Sequence, residues 1–452
     1  MMDKYLNKAK SKLNKLVDEL KDNSANSHGF PVHAPGHNKH QHQHEHQHEH
    51  QHEHQHKQTP ITSHEDQPSA VQPPTPLDVL RYRYHHGCNL GAVYVLEKWL
   101  FPSMFPEGCP DNKSSELAAV KASVQAIGIE ETQRKFEVHW ANALTDKDLD
   151  WLAEVAHCTT IRLPIGYFTL GEQFSENTPF EPYASVYQNC WASVKQLTQR
   201  ARARGIGTLV DFHGLPGGAN KCDHSGTNSG EAEHWCSTHC RNLSQRCLEF
   251  IAREISDSCH GSKGDCDGEG EGAQLGFGDG VAGLQVCNEA EWEAQGLYEW
   301  YEAVVAAIHA IDNSIPVYVS DAWNLEKCAA WCARRNSVFV STAPAPVVVD
   351  THLYWAFSEQ DKQKSPRGIA AEARGKLGQL DAHEGNVLKK GAVAAIVGEY
   401  SCVLTDDSWA RKGDEERDDL VRLFGQAQCE RYQKRALGSF FWTYKMVSLS
   451  AS

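Results

Sequence analysis

Eight short apolar runs, separated by longer stretches with helical patterning, constrain the fold of this chain more than any other feature. They lie between about Leu80 and the C-terminus, over roughly 370 residues, which matches a (β/α)8 barrel with loop insertions. Helical patterns between the runs include 183–203 and 296–311. A doubly wound sheet would more often have five or six strands. The pattern therefore predicts an α/β protein of the TIM-barrel class, with strands at 86–90, 159–164, 207–213, 283–288, 316–320, 347–352, 394–399 and 438–443.

Polar side chains follow the apolar runs with a regularity that chance would not produce. In such barrels the active site lies at the C-terminal ends of the strands. We therefore expect the side chains at these ends to meet in one cavity. They are Asn89, Arg162, His213, Asn288 with Glu289, His352 with Tyr354, Glu399 and Trp442.

Residues 1–22 have the pattern of an amphipathic helix. Leu6, Leu13 and Leu20 fall on one stripe, and lysines such as Lys8 and Lys12 lie on the rest of the surface. One interpretation is peripheral membrane contact or docking to a partner. The other is a helix that packs on its own protein or stays in solvent, which the narrow apolar face without Trp or Phe favours.

The segment 23–79 predicts a disordered linker, and the barrel domain is expected at 80–452. Histidine alternates with Gln and Glu in the first part of the linker, and a Pro-rich stretch without hydrophobic periodicity follows. Imidazoles bind transition metals, but nothing in this segment fixes a coordination geometry. We expect weak metal binding there rather than a dedicated site.

Charge and cysteine usage limit the partners and the compartment. The net charge of -15 argues against a nucleic-acid partner, because such proteins usually carry a basic surface. The N-terminal residues lack the apolar core of a secretory signal. The 15 cysteines are irregularly spaced, which is typical of free thiols in a reducing compartment. These observations predict a cytoplasmic protein that acts on a neutral substrate.

Two glutamates, Glu289 and Glu399, end the fourth and seventh runs. Hydrolysis of a glycosidic bond requires a proton for the leaving oxygen and a negative group beneath the developing oxocarbenium ion. Strand ends of a closed barrel face one cavity, and a separation of about 5 Å would allow a covalent, retaining mechanism. Either glutamate alone would also fit a salt bridge at the barrel rim. The neighbouring residues therefore decide between a structural and a catalytic role.

These neighbours have the chemistry that a glycosidase needs. Asn288 could hydrogen-bond the sugar 2-hydroxyl. Arg162 would hold Glu399 ionised, because a nearby positive charge lowers a carboxylate pKa, and Tyr354 could orient the same carboxylate. The remaining members of the set are His213 and His352 in the polar ring, and Trp442 as an apolar surface for a pyranose ring.

Eight of these residues resemble, in identity and order, the active-site residues of glycoside hydrolase family 5. They are Arg162, His213, Asn288, Glu289, His352, Tyr354, Glu399 and Trp442. Several strings look more specifically like the fungal exo-β-1,3-glucanase branch, over about Gly87 to Lys445. They include GCNLGAVYVLEKWL, IRLPIGYFTLG, VDFHGLPGGANKCDHSG, LQVCNEA, VSDAW, VDTHLY, IVGEYSCVLTD and FFWTY.

The resemblance implies a retaining double displacement with Glu289 as acid/base and Glu399 as nucleophile, without a metal or an organic cofactor. It also implies that Glu97 and Asp223 bind the terminal glucose and close the pocket into an exo-acting site. The substrate class that it implies is a β-linked glucoside or oligosaccharide. A carbohydrate-binding or scaffold protein that lost turnover is the alternative, although a binder has no need for two opposed carboxylates.

Three departures from the family pattern bear on the substrate. Ala290 stands where Pro usually follows the acid/base, and Tyr400 stands where Trp often follows the nucleophile. Cys222 replaces an aromatic residue that, together with one matching Phe357, clamps the sugar beyond the cleaved bond in the glucanases. Loss of half of this clamp suggests a changed aglycone, and an intracellular β-glucoside is then favoured over cell-wall glucan.

A cluster of cysteines and histidines lies in the insertion after the third run. Side chains of these types at this density could bind zinc, but the spacing is not that of a known finger. We therefore expect unliganded thiols and imidazoles. The cluster consists of Cys222, His224, His234, Cys236, His239 and Cys240.

Overall fold

The computed structural model of the chain describes residues 73–109, 114–259, 275–336, 344–383 and 393–445. The predicted amphipathic helix at 1–22 and the predicted linker up to residue 72 lie outside the described residues. The first described element is helix α1, Pro76–Tyr82, which Thr75 caps through a reciprocal pair of hydrogen bonds with Asp78. Such a pair satisfies amide groups that a helix start leaves free. Helix α1 thus begins within 23–79, the stretch that the sequence predicts as linker.

Eight parallel strands close into a barrel in chain order, and the eighth pairs with the first. The predicted (β/α)8 fold is confirmed. The second and third strands are buried at every position, as expected for parallel strands that helices cover. The strands are β1 His85–Asn89, β2 Thr160–Gly166, β3 Gly207–Gly214, β4 Val281–Gln285, β5 Val317–Ser320, β6 Val347–Leu353, β7 Ala394–Tyr400 and β8 Gly438–Phe441.

The helices of the described residues pack around this barrel through apolar faces. None of the described helices is both long enough and apolar enough to cross a membrane. After α1 they are α2 Glu116–Ile127, α3 Ile129–Ala143, α4 Asp146–Glu154, α5 Cys190–Arg202, α6 Thr238–Asp257, α7 Leu297–Ile311, α8 Leu325–Arg335, α9 Glu359–Lys362, α10 Pro366–Ala373, α11 Asp406–Trp409 and α12 Arg417–Arg435.

Two predicted elements differ from the structure. Strand β4 ends at Gln285, so Asn288 and Glu289 lie on the irregular segment that follows it rather than at its end. The helical pattern of 183–203 is divided into a 3-10 helix, Glu181–Tyr187, and helix α5. Both forms of helix place side chains three to four residues apart on one face, which is why the periodicity did not separate them. The pattern at 296–311 is confirmed as α7.

Strand alternation builds the barrel interior in layers. Leu209, Asp211 and His213 on β3 are two residues apart, so they share one face of the strand. The order runs from apolar to polar toward the C-terminal end, and β6 repeats it. The apolar layer therefore lies beneath a polar one that opens to the mouth. The apolar cluster consists of Leu209, Tyr318, Val348, Ile396 and Phe440.

A register shift on β7 turns its glutamate into the barrel. Ile396 belongs to the interior cluster, and Glu399 is three residues further, so strict alternation would place the two on opposite faces. The pairing with β6 shifts between Thr351 and His352, which leaves Gly398 as the extra residue. A Cβ at Gly398 would lie 2.0 Å from Asp350 Oδ1, so only glycine fits there. The local geometry of β7 therefore depends on this glycine.

Candidate active site

The guanidinium of Arg162 occupies the centre of the barrel mouth and is fully buried. Nη1 donates to Asn89 Oδ1 and to Glu399 Oε1, both at 2.9 Å. Nη2 donates to Asn288 Oδ1 at 2.7 Å, and Nε donates to Gln285 Oε1 at 2.9 Å. Because the donors of an Arg form a rigid fork, one side chain fixes polar groups from several strands.

Two buried aspartates compensate the charge of Arg162. Asp211 Oδ2 lies 3.1 Å and Asp350 Oδ2 3.6 Å from Nη2. Burial alone would lower the pKa of Arg162, but the charges of Asp211, Asp350 and Glu399 raise it. The guanidinium therefore stays charged in an interior where an uncompensated cation would be costly.

Each carboxylate oxygen of Glu399 accepts a hydrogen bond from a different donor. Oε1 accepts from Arg162, and Oε2 accepts from the Tyr354 hydroxyl at 2.8 Å. Burial and the charge of Glu399 raise the pKa of Tyr354, so the phenol stays protonated and donates a hydrogen bond. This carboxylate is thus held in one orientation, with 5% of Glu399 exposed at the cavity.

The backbone of Glu289 has a φ of 42°, in the left-handed region that non-glycine residues rarely adopt. Two hydrogen bonds hold it there. Asn220 Nδ2 donates to the Glu289 carbonyl at 2.9 Å, and the amide of Ala290 donates to Ser320 Oγ at 3.2 Å. Strain of this kind persists only where the surroundings over-determine it, and it clusters at functional sites.

Two imidazoles face the carboxylate of Glu289. His352 Nδ1 lies 2.7 Å from Oε1, and His224 Nε2 lies 3.2 Å from Oε2. Burial raises the pKa of Glu289, but the charges of His224 and His352 and the hydrogen bond from His352 outweigh it and lower the pKa to about 2. Burial lowers the pKa of His352, whereas Glu399 and Asp350 raise it well above its usual range.

The two glutamates face one another across the cavity. An oxygen of Glu289, an oxygen of Glu399 and a ring nitrogen of His352 all lie within 4.8 Å of one another. The same proximity would allow a cation, but Arg162, His224 and His352 already supply positive charge to these carboxylates. The arrangement therefore suits two carboxyl groups that act on a substrate between them better than it suits metal binding.

The side chains of Asn288 and His213 are locked to each other. His213 Nδ1 lies 2.7 Å from Asp211 Oδ2, and its Nε2 lies 3.2 Å from Asn288 Nδ2. Because an amide nitrogen donates, Nε2 accepts and Nδ1 carries the proton. The ring of Trp442 lies nearly parallel to that of His213, at 6.3 Å and 18°. A Cβ at Gly91 would lie 2.8 Å from the indole, so this glycine makes room for it.

The remaining predicted residues lie at the rim. Trp99 Nε1 donates to Glu97 Oε2 at 2.8 Å, and burial raises the pKa of Glu97 while His224 lowers it. The ring of Phe357 is 77% exposed and packs edge-on against Tyr354 at 5.4 Å. Asp223 begins a short 3-10 helix and is half-buried, and the side chain that reaches Glu289 is that of the next residue.

Several site residues were missed from the sequence. Asp211 and Asp350 stand two positions before His213 and His352, so strand alternation was a signal that could have revealed them. His224 gave no such signal, because its place depends on the path of a loop. Gln285 and Asn220 also belong to this group.

The cysteine and histidine cluster does not converge on one point. His224 faces Glu289, whereas His234 is buried with Nδ1 3.2 Å from the Pro216 carbonyl. Burial lowers the pKa of His234 to about 3. Cys236 and His239 are exposed. The described residues of the cluster therefore form no common site, although Cys222 and His224 make a hydrogen bond with each other.

Comparisons with known proteins bear on the family and the fold of the chain. Residues 120–255 match the family model for Cellulase (glycosyl hydrolase family 5). The chain is 32% identical over 373 residues to glucan 1,3-beta-glucosidase 3 of Schizosaccharomyces pombe, a match that covers 82% of this chain and 71% of that protein. It is 30% identical over 373 residues to an uncharacterized glycosyl hydrolase of Saccharomyces cerevisiae, covering 81% and 68%. A rutinosidase from Aspergillus niger shares the fold, with a TM-score of 0.59, 18% identity and coverage of 82% of this chain and 92% of that one.

Proposed function

The chain belongs to glycosyl hydrolase family 5, as its resemblance predicts, and is a glycoside hydrolase; from this premise we propose that it is a retaining, exo-acting β-glucosidase. Glu289 acts as the acid/base and Glu399 as the nucleophile. The observation that carries this proposal is the approach of the two carboxylates to within 4.8 Å. That distance is nearer to the separation of about 5 to 5.5 Å typical of retaining enzymes than to the roughly 6.5 to 9.5 Å of inverting ones.

The surroundings of Glu399 support a nucleophile. Arg162 and Tyr354 each donate to one of its oxygens, so the carboxylate is oriented before a sugar enters. Attack on the anomeric carbon forms a glycosyl-enzyme ester, and the glycosidic bond breaks. The positive charge of Arg162 stabilises this carboxylate again when water releases the sugar.

The surroundings of Glu289 support an acid/base. This side chain has neighbouring imidazoles that hold and exchange protons, whereas Glu399 has an Arg that does not. In the first step Glu289 protonates the leaving oxygen. In the second step it takes a proton from the attacking water. Environments that differ in this way favour opposite roles for two carboxyl groups.

The glycone side of the cavity supports a closed, exo-acting pocket. We propose that Trp442 supplies the apolar surface under the pyranose ring and that Asn288 contacts the 2-hydroxyl. Glu97, and with it Asp223, would close the far end, and the bond from Trp99 to Glu97 fixes one of these carboxylates. The substrate in this proposal is a β-linked glucoside or a glucan oligosaccharide.

The aglycone side presents exposed aromatic rings. Trp323 is 49% exposed with its ring 6.4 Å from His352, and Phe357 is 77% exposed beside Tyr354. Aromatic faces bind sugars and apolar aglycones by stacking. These rings support binding of an aglycone, which could be a glucan chain, a lipid or a small aryl group. Cysteines such as Cys88, Cys190 and Cys287 are free thiols, which supports action in a reducing compartment such as the cytoplasm.

The test is hydrolysis of 4-nitrophenyl β-D-glucoside with product stereochemistry followed by NMR. We expect β-glucose to form first. Glu399→Ala should abolish turnover, and Glu289→Ala should lower it by about a hundredfold to ten-thousandfold, the range that general acid/base catalysis supplies. Azide should accelerate Glu289→Ala and yield β-glucosyl azide, because a small anion needs no base.

Glu293→Gln is a matched control, since Glu293 is an exposed glutamate four positions further along the chain that pairs with Lys327. It should retain normal turnover. Initial release of α-glucose, or a Glu289→Ala enzyme with unchanged activity, would overturn the assignment. A wild type that binds but hydrolyses no β-glycoside would instead favour a carbohydrate-binding protein.

A further inference from the structure

His224 is placed next to the proposed acid/base by a rigid turn. It lies in the short 3-10 helix Asp223–Ser225, in the loop after β3. The amide and hydroxyl of Ser225 both donate to the Cys222 carbonyl, at 3.1 and 2.7 Å. These hydrogen bonds fix the backbone of the turn and so restrict where the His224 imidazole can lie.

One amide side chain couples this turn to Glu289. Asn220 Oδ1 accepts from the amide of Cys222 at 2.9 Å, while Nδ2 of the same side chain donates to the Glu289 carbonyl at 2.9 Å. The 3.2 Å approach of His224 Nε2 to Glu289 Oε2 is thus fixed from both sides. A surface histidine that met a glutamate by chance would not have this support.

The two oxygens of Glu289 differ in how closely a histidine holds them. Oε1 is occupied by His352 Nδ1 at 2.7 Å, and that imidazole is held by Asp350 Oδ2 3.1 Å from its other nitrogen. Oε2 is the oxygen beside His224. Its contact with His224 Nε2, at 3.2 Å, is the longer of the two, so a leaving oxygen can approach Oε2 more readily than Oε1.

We propose that His224 is a positioning residue that stores the proton which Glu289 delivers to the leaving oxygen. This inference rests on the proposed function, because it needs Glu289 to be the acid/base. It assigns His224 a role through Glu289, without contact between His224 and the reacting atoms.

The proton balance closes over the two steps. In the first, the Nε2–H bond of His224 breaks and an O–H bond forms at Glu289 Oε2. That proton passes to the leaving oxygen as the ester to Glu399 forms, so Glu289 is left ionised and His224 neutral. In the second, Glu289 takes a proton from the attacking water as the ester bond breaks. The proton returns to His224, and the starting state is restored.

The charges around the pair fit this assignment. Burial lowers the pKa of His224, but a hydrogen bond with Cys222 and the charges of Glu289 and Glu97 raise it to about 10. The pKa of Glu289 is lowered, so the free enzyme holds its mobile proton on the imidazole. The other groups that act on Glu289 include His352 on β6, His213 on β3 and Arg162 on β2.

The decisive experiment compares leaving groups. His224→Gln keeps a nitrogen near Nε2 but has no titratable proton. Its kcat/KM should fall by about a hundredfold for an alkyl β-D-glucoside, whose leaving oxygen needs a proton. For 2,4-dinitrophenyl β-D-glucoside, whose leaving group needs none, kcat/KM should stay within about threefold of wild type. Activity on the second substrate also proves that the variant is folded.

The pH profile provides a second readout. In wild type the proton is lost from the pair at the high pKa of His224, whereas in His224→Gln it must reside on Glu289. The pH above which kcat/KM falls should therefore move to lower pH by at least about one unit. Imidazole added to His224→Ala should restore part of the activity on the alkyl glucoside. His239→Gln, at an exposed histidine of the same insertion, should change neither readout.

The outcomes separate the two proposals. An equal loss on both substrates, or none on either, overturns the role of His224. Glu289→Ala tested in the same series decides the proposed function, because it should show the same leaving-group dependence together with rescue by azide. If it shows neither, the acid/base assignment fails. If it shows both while His224→Gln does not, only the inference about His224 fails.

Discussion

The Tyr354 hydroxyl donates to Glu399 Oε2 at 2.8 Å, on the side of the carboxylate opposite the bond from the central arginine. Tyr354 follows β6 and Glu399 lies on β7, so this bond joins neighbouring strands at the barrel mouth. A carboxylate with two free oxygens would sample several rotamers. These two donors leave it one orientation.

We expect Tyr354→Phe to lower kcat for 4-nitrophenyl β-D-glucoside by about tenfold to a hundredfold, with KM changed by less than about threefold. A hydrogen bond to a charged group contributes about 1.5 to 3 kcal/mol, which corresponds to this range. Steady-state kinetics measure the effect. Tyr82→Phe, at an exposed tyrosine on α1, is the control and should behave as wild type. An unchanged kcat for Tyr354→Phe would mean that Arg162 alone orients the carboxylate.

Arg162→Lys should abolish activity and lower the free energy of unfolding, although the charge is kept. The guanidinium makes bonds to Asn89, Gln285, Asn288 and Glu399 that an ammonium cannot reproduce with one nitrogen. Loss of a partner from a buried charged network typically costs about 3 to 5 kcal/mol. Urea unfolding and turnover should be measured on the same sample. A variant with wild-type stability would show that the network does not depend on the fork of donors.

The strands of the barrel could be predicted because buried parallel strands are continuous apolar runs. The orientation of the two glutamate side chains could not be predicted. Glu289 lies beyond the end of β4 with a φ of 42°, which no local propensity of Glu encodes. The orientation of Glu399 depends on the register shift at Gly398, which is a property of two strands together.

The candidate site was predictable in its strand-borne residues and not in its loop-borne ones. Arg162 lies within β2 and Tyr354 directly after β6, so the apolar runs were enough to place both. His224 depends on the turn that Asn220 and Ser225 fix, and a sequence pattern alone does not show where such a turn points. Asp223 and His224 are neighbours in sequence, and the path of the backbone decides which of the two side chains reaches Glu289.

Phe357→Ala should weaken the binding of substrates with an aglycone and leave smaller ones unaffected. The exposed ring packs on Tyr354 and offers a face for stacking. We expect KM for laminaribiose or an aryl β-D-glucoside to rise by about three- to tenfold, from the roughly 0.5 to 1.5 kcal/mol of an aromatic contact. β-D-Glucosyl fluoride has no aglycone surface, so its KM is the internal control. A rise for the fluoride as well would place Phe357 on the glycone side.

Glu116 supports the segment that carries Glu97. This residue is 1% exposed at the start of α2, where Oε2 accepts from the amide of Leu96 and Oε1 accepts from the Tyr187 hydroxyl, both at 2.6 Å. Burial raises its pKa to about 7, and the two hydrogen bonds only partly oppose this. The carboxyl group is therefore protonated in the folded protein under mildly acidic conditions.

Glu116→Gln should remove the pH dependence that this carboxyl adds to stability. Its pKa is about 7 in the folded state against 4.5 for the ordinary group, so between these values the folded protein binds more protons and loses stability as the pH rises. The whole effect is about 3 kcal/mol. The free energy of urea unfolding of Glu116→Gln minus that of wild type should therefore increase from about pH 4.5 to about pH 7.5, and this difference cancels the titration of other groups. Glu130→Gln, at an exposed position on α3, should give a flat difference. A flat difference for Glu116→Gln as well would mean that the buried carboxyl is ionised throughout, and that its two donors outweigh its burial.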